Sequence, residues 1–232
     1  FMALEQNTTG NQNNAFGFYA LKNNTTGTSN NAFGATALYS NTSGSLNNAF
    51  GHSTLSVNTT GTANVAIGLQ ALNQNNASSC VAVGQNAATA ITTSTSIAAF
   101  GQNALAQSTT ANDNTALGSM AGYNCTDGHS NTFLGRLAGY LSTTTGDNNT
   151  IIGYYAQGSS ATADNEFTLG NSSISNLRCA DTSISTLSDQ RDKTNIEDIP
   201  HSYFPEIHEI MNKYNYRCAK FLNIDLFLKT FS

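Results

Sequence analysis

The sequence predicts an all-β fold, a parallel β-solenoid of ten repeats of about 17 residues, on three observations. First, ten glycines (Gly17, Gly34, Gly51, Gly68, Gly84, Gly101, Gly118, Gly135, Gly153 and Gly170) follow one another at intervals of 16 to 18 residues, mostly 17. A fixed period of this kind means one structural unit copied and stacked. Second, each glycine is preceded by an apolar residue: Phe16, Phe33, Phe50, Ile67, Val83, Phe100, Leu117, Leu134, Ile152 and Leu169. A small residue follows three places on, as at Ala20, Ala37, Thr54, Ala71, Ala87, Ala104, Ala121, Ala138, Ala156 and Ser173. Third, the density of Asn, Thr, Ser and Gly disfavours helix, and the period is half that of a helical-hairpin repeat of about 34 residues.

Each element of the repeat has its own warrant. The first copies read NTTGNQNNAFGFYALKN, NTTGTSNNAFGATALYS and NTSGSLNNAFGHSTLSV, beginning at Asn7, Asn24 and Asn41. The apolar residue before the glycine predicts a short strand ending there. The segment after it, often carrying Leu as at Leu21, Leu38, Leu55, Leu72 and Leu105, predicts a second short strand. The Asn-Thr-Gly stretch between copies predicts a turn, because these residues suit left-handed or side-chain-capped backbone. Asn is usual four places before the glycine, as at Asn13, Asn30, Asn47, Asn64, Asn114, Asn131 and Asn149. Stacked coils climb about 4.8 Å each, so ten make a body roughly 50 Å long. The glycine itself answers either to a tight corner within one chain or to a crowded interface between subunits, and both can hold.

Composition divides the chain. Only 10% of residues are charged, against a usual value of about 25%. Residues 1–163 hold Glu5, Lys22, Asp113, Asp127, Arg136 and Asp147, and the remaining 69 residues hold the other seventeen charges. That shift predicts a repeat domain over 1–175, a connector over 176–187 and a distinct segment over 188–232. One narrow coil buries little apolar area alone, which predicts a homo-oligomer, a trimer. The net charge of −5 and the lack of a basic cluster argue against a nucleic-acid partner. No apolar run reaches the ~20 residues that span a bilayer, so no membrane insertion is expected. The opening FMALEQNTTG lacks the regions of a secretory signal and starts within the pattern, as a fragment of a longer protein would. Cys80, Cys125, Cys179 and Cys218 match no metal or redox spacing, and His52, His129, His201 and His208 are scattered, so neither a metal nor a cofactor is expected. The sequons at Asn7, Asn24, Asn41 and Asn58 recur with the period; they read as turn chemistry, with glycosylation as the alternative.

Two resemblances add to this reading. Asn64-Val65-Ala66-Ile67-Gly68 and Asn114-Thr115-Ala116-Leu117-Gly118 resemble the head repeats of trimeric autotransporter adhesins, over roughly residues 7–175. That resemblance implies a left-handed parallel β-roll, three of which pack into one head; the repeats here are longer than the family's usual 14 or so and need an enlarged turn. Further on, Leu187-Ser188-Asp189-Gln190-Arg191-Asp192-Lys193-Thr194-Asn195-Ile196 resembles the opening of the intramolecular chaperone domain of phage tailspikes and endosialidases, whose signature is Ser-Asp-x-Arg-x-Lys-x-Asn-Ile. The resemblance implies a domain that trimerises the fibre, guides its folding and then cuts itself off through a Ser-Lys dyad, here Ser188 and Lys193, with Asp189, Arg191 and Asn195 as supporting residues. The chemistry is coherent: serine needs a base to take its proton, and lysine serves as one when burial or a nearby cation such as Arg191 lowers its pKa. Ser188 or Asp189 also reads as a helix N-cap. Only 39 residues follow Lys193, and they lack the family's later Pro-Val-aromatic pattern. Ile207, Ile210, Met211 and Tyr214 share one helical face, which predicts a helix over 205–216 in a shortened domain.

The expected function is therefore that of a structural and adhesive subunit of a trimeric viral fibre on the virion surface, meeting a glycan or protein receptor of the host. The alternative is the head of a bacterial cell-surface adhesin without protease activity. Enzymatic activity is at most a single-turnover Ser-Lys self-cleavage next to Ser188. The repeats offer no paired carboxylates for glycan hydrolysis, and their threonines cluster in turns rather than on a flat ice-binding face.

Overall fold

The computed structural model describes residues 2–141 and 145–176 of the 232-residue chain. The chain divides into two units, Phe1–Leu177 and Arg178–Ser232. The described residues belong to the first. Its secondary structure is all β: ten three-residue strands, β1 (Asn14–Phe16), β2 (Asn31–Phe33), β3 (Asn48–Phe50), β4 (Val65–Ile67), β5 (Val81–Val83), β6 (Ala98–Phe100), β7 (Thr115–Leu117), β8 (Thr132–Leu134), β9 (Thr150–Ile152) and β10 (Phe167–Leu169). They form one parallel sheet in sequence order, each strand one coil above the last, which is the predicted solenoid. Register is in phase throughout: Ala15 pairs with Ala32, Ala32 with Ala49 and Ala49 with Ala66.

Each coil has one strand, not the two expected. The segment after the glycine is a run of tandem turns. In the coil of Gly34, Ala37 N–H donates to the Gly34 carbonyl, Tyr39 to Thr36 and Asn41 to Leu38. Positive φ at Thr36 (56°) and Leu38 (51°) makes the first two turns type II in character. The remaining amides alternate in direction between coils, Thr36 N–H reaching the Phe18 carbonyl below and Leu38 N–H the Thr54 carbonyl above, each at 2.8–3.0 Å. The backbone is therefore satisfied without a pleat. The signal that suggested a strand, Ala-Leu after the glycine, marks inward-facing turn residues instead.

The recurring glycine meets two demands within one chain, a positive φ and a close approach of backbone. At Gly51, φ is 138°, and a Cβ there would lie 2.7 Å from the carbonyl oxygen of Gly68 in the next coil. The crowding backbone is the same chain one coil on. The small residue three places later does not face a neighbouring subunit; Ala20, Ala37, Ala71, Ala87 and Ala104 are fully buried inside the coil.

The core is a narrow column of mid-strand alanines, these small residues, and the leucines four places after Gly17, Gly34, Gly51, Gly68 and Gly101. Its volume is conserved by exchange in most coils; at Ala88 and Ala99 both places are small, and Ile91 and Ile97 are the large buried side chains there. Leu21, Leu38, Leu55, Leu72 and Leu105 are followed in the next strand by Ala32, Ala49, Ala66, Ala82 and Ala116. Further along, Gly122 and Gly139 take the leucine's place, and the next strands carry Phe133 and Ile151. A Cβ on Gly122 would meet the Phe133 ring at 2.6 Å and Leu105 Cδ2 at 2.8 Å.

Candidate functional site

The sequence-predicted catalytic residues Ser188 and Lys193, with Asp189, Arg191 and Asn195, lie outside the described residues, as do the helix expected over 205–216 and Cys179 and Cys218. What the structure does place is the surface of the coil, and two features of it bear on function.

The first is buried and polar. Asparagines seven places after the glycine point inward and join hands along the axis. Asn41 Nδ2 donates to Asn24 Oδ1 at 2.8 Å and to the Gly44 carbonyl at 2.9 Å, while its own Oδ1 accepts from Asn58 Nδ2 at 2.9 Å. A second ladder runs through the asparagines four places before the glycine. Asn47 Nδ2 donates to the Gly61 carbonyl at 2.8 Å, and its Oδ1 accepts the Asn64 backbone N–H at 3.1 Å. Asn24, Asn41 and Asn58 are fully buried, so the amide nitrogens of these recurring sequons are committed to the interior and inaccessible to glycosylation of the folded protein. The Asn-Thr recurrence is the chemistry of the turn.

Two cysteines substitute into these ladders. Cys80 takes an Asn place in the second ladder, its Sγ donating to the Ser94 carbonyl at 3.2 Å, and Cys125 takes one in the first, donating to the Gly128 carbonyl at 3.5 Å. Burial pushes the Cys125 thiol up to about 12 and also raises Cys80. Both are structural thiols, because the thiolate is the reactive form.

One departure from the 17-residue period, the 16-residue repeat between Gly68 and Gly84, falls in the turn between the two ladders. The one-residue deletion lies between Asn75 and Cys80. In an ordinary coil the Thr42 carbonyl accepts from Thr25, Thr26 and Gly27. At the deletion, the side-chain Oδ1 of Asn76 takes over, accepting from Thr59 N–H at 2.8 Å and Thr60 N–H at 3.1 Å. The strand register continues, Val65 pairing with Val81. The first ladder does not: Asn58 Oδ1 is buried without a partner, while Asn75 turns to the Ala77 carbonyl.

The second feature is exposed and apolar. In a three-residue strand the middle side chain points inward and the flanking two point out. The residue before each glycine therefore forms an outward column, stacked in register from Phe16 to Leu169. Exposure is 39% at Phe33 and Phe50, 42% at Ile67 and 52% at Leu117. The Phe33 and Phe50 rings lie parallel with centroids 5.0 Å apart. Beside this column, Asn14, Asn31 and Asn48 form an outer amide ladder, each Nδ2 donating to the next Oδ1 at 2.7–2.8 Å. The face is in effect free of charge; the cations among the described residues are Lys22, paired with Glu5 at 3.3 Å, and Arg136. Two carboxylates are held by neighbouring hydroxyls. The Thr110 and Thr126 hydroxyls hold Asp127 below its ordinary range, and the hydroxyl and backbone N–H of Ser159 do so for Glu166.

Among the described residues no group of three His, Cys, Asp or Glu side chains is placed to hold a metal ion, and no helix is long and apolar enough to cross a membrane. Comparison with protein-family models, with curated proteins and with solved structures finds no match to this chain.

Sequence reasoning found the period, the glycine corner and the apolar column, and expected a single coil to bury little of that column by itself. It missed the inward asparagine ladders, although their 17-residue recurrence was visible, because an amide is usually read as a surface group.

Proposed function

We propose that this chain is the structural and adhesive subunit of a homotrimeric fibre or spike exposed to a host surface, with the segment from Ser188 acting as its trimerisation chaperone. The carrying observation is the outward apolar column from Phe16 to Leu169. Side chains of this size left about two-fifths exposed present about 80 Å² per coil, several hundred Å² in one continuous stripe, which exceeds what a monomer ordinarily shows to water. The stripe has the same 17-residue repeat and register as a second copy of itself, so like chains aligned side by side cover it coil for coil. Three such chains around an axis is the arrangement implied by the resemblance to adhesin heads. The polar turns then face outward, toward a receptor.

The test is the mass of the particle in solution by sedimentation or light scattering. Three chains of 24.4 kDa each are expected, and a stable monomer at micromolar concentration would overturn the proposal. Ile67→Lys together with Leu117→Lys should dissociate the assembly while leaving the coil folded by circular dichroism, because both side chains point outward.

Self-cleavage is the narrower part of the proposal. Ser188 Oγ attacks an adjacent peptide carbonyl, Lys193 takes the hydroxyl proton and returns it to the leaving amine, and water hydrolyses the ester. A shortened band on denaturing gels, absent in Ser188→Ala and Lys193→Ala, is the expected result. An intact chain in the assembled trimer would remove the protease and leave the fibre.

A further inference from the structure

The six tyrosines among the described residues are confined to the two ends of the coil: Tyr19 and Tyr39 at one, and Tyr123, Tyr140, Tyr154 and Tyr155 at the other. At the first end Phe18, Tyr19, Thr36, Tyr39 and Ser56 line a shallow, open depression of about 460 Å³. The Phe18 and Tyr19 ring centroids are 3.8 Å apart, and Tyr19 and Tyr39 meet edge-on at 6.0 Å. Lys22 Nζ lies 4.3 Å from the Tyr19 ring centroid, and its charge is balanced by Glu5.

We propose that this depression is a binding site for a neutral pyranose, which deepens the adhesive reading and rests on it. The site is too open to enclose an apolar ligand, and its cation is already paired, so it has no net charge to hold an anion. Its chemistry is that of aromatic faces beside hydroxyls. One face of a pyranose ring is a patch of C–H bonds that stacks on the negative face of a tyrosine, while its rim of hydroxyls needs polar partners such as Thr36, Ser56 and the phenol oxygens. The aromatic side chains are not required by the fold. The places of Tyr19 and Tyr39 in the repeat are filled two coils and one coil later by Ser53 and Ser56 on the same backbone, with Ser53 at φ 55° against 60° at Tyr19. A single shallow site of this kind binds weakly, and repetition over the chains of a fibre multiplies its avidity.

The experiment is saturation-transfer NMR on the full chain with methyl β-D-galactopyranoside, methyl β-D-glucopyranoside and methyl α-D-mannopyranoside as separate probes at ~10 mM. Transfer to the ring C–H protons of at least one probe is expected, reduced at least fivefold in the Tyr19→Ser/Tyr39→Ser variant and unchanged in Tyr123→Ser. The serine variant keeps the coil folded because the repeat itself uses serine at both places, and its circular dichroism checks this. No transfer from any probe, or equal transfer in the double variant, overturns the site. The solution mass of the same sample separates the two ideas: a trimer without transfer refutes the pyranose site alone, while transfer to a monomer refutes the trimer alone.

Discussion

Exchanging the core volumes of one coil tests whether the alternation of Leu/Ala with Gly/Phe is a packing constraint. Phe133 is fully buried, and Phe133→Ala should cost about 3–5 kcal/mol through lost transfer energy and the cavity left behind. Gly122→Leu places a side chain whose first carbon would lie 2.6 Å from the Phe133 ring, an overpacking cost of about 1–3 kcal/mol. Its backbone adds about 1 kcal/mol, because φ at Gly122 is 59° and an L-residue pays about that much in the left-handed region. If the two changes were independent, the double variant would lose about 5–9 kcal/mol. Together, however, they reproduce the Leu105 and Ala116 arrangement found one coil earlier, where Leu105 is accommodated at φ 50°. The double variant should then lose only about 1–2 kcal/mol, a coupling of about 3 kcal/mol or more. Urea denaturation measures the total, and hydrogen exchange at Gly122 and Gly139 measures the coils concerned, since a stacked repeat need not unfold as one unit. Additivity within about 0.5 kcal/mol would refute the volume-exchange argument.

Other outcomes follow from the same geometry. Gly118→Ala should destabilise by about 3 kcal/mol or more in thermal melts, since its Cβ would meet Gly135 backbone at 2.6 Å with φ at 139°; Ser119→Ala, the next residue, should stay within about 0.5 kcal/mol. Asn41→Ala breaks two donated bonds, takes the donor from Asn24 Oδ1 and leaves Asn58 Nδ2 with the Gly61 carbonyl alone, an expected loss of about 2–4 kcal/mol by denaturant titration, whereas the outer-ladder Asn31→Ala should cost under about 1 kcal/mol. At pH 9 an exposed thiol is largely thiolate, but Cys125 is pushed up to about 12. Iodoacetamide should therefore leave Cys80 and Cys125 unmodified in the native protein and label both in denaturant, as read by peptide mass mapping; native labelling of Cys125 would contradict its burial.

The period, the parallel stacking and the place of the corner were legible in the residues alone, because stacking copies the same local constraint at every coil. At eight of the ten glycines, Gly17 to Gly135, φ lies between 121° and 142° and the next coil's carbonyl leaves no room for a Cβ, so the demand appears eight times in the text of the chain. The turn chemistry was equally legible, Asn and Thr being the residues whose side chains replace backbone partners there. Three things needed the tertiary structure. One was that the Ala-Leu segment is a chain of turns: its left-handed leucines contradict ordinary residue preference, and only contacts with coils above and below hold them. Another was the direction of each side chain, which sends Asn41 inward and Phe33 outward against their usual tendencies. The last was the exchange of Leu105 and Ala116 for Gly122 and Phe133, which is invisible along the chain because the partners are eleven residues apart in both pairs. Repetition writes local geometry into the sequence many times over, but which face of each coil becomes interior is decided only when the coils stack.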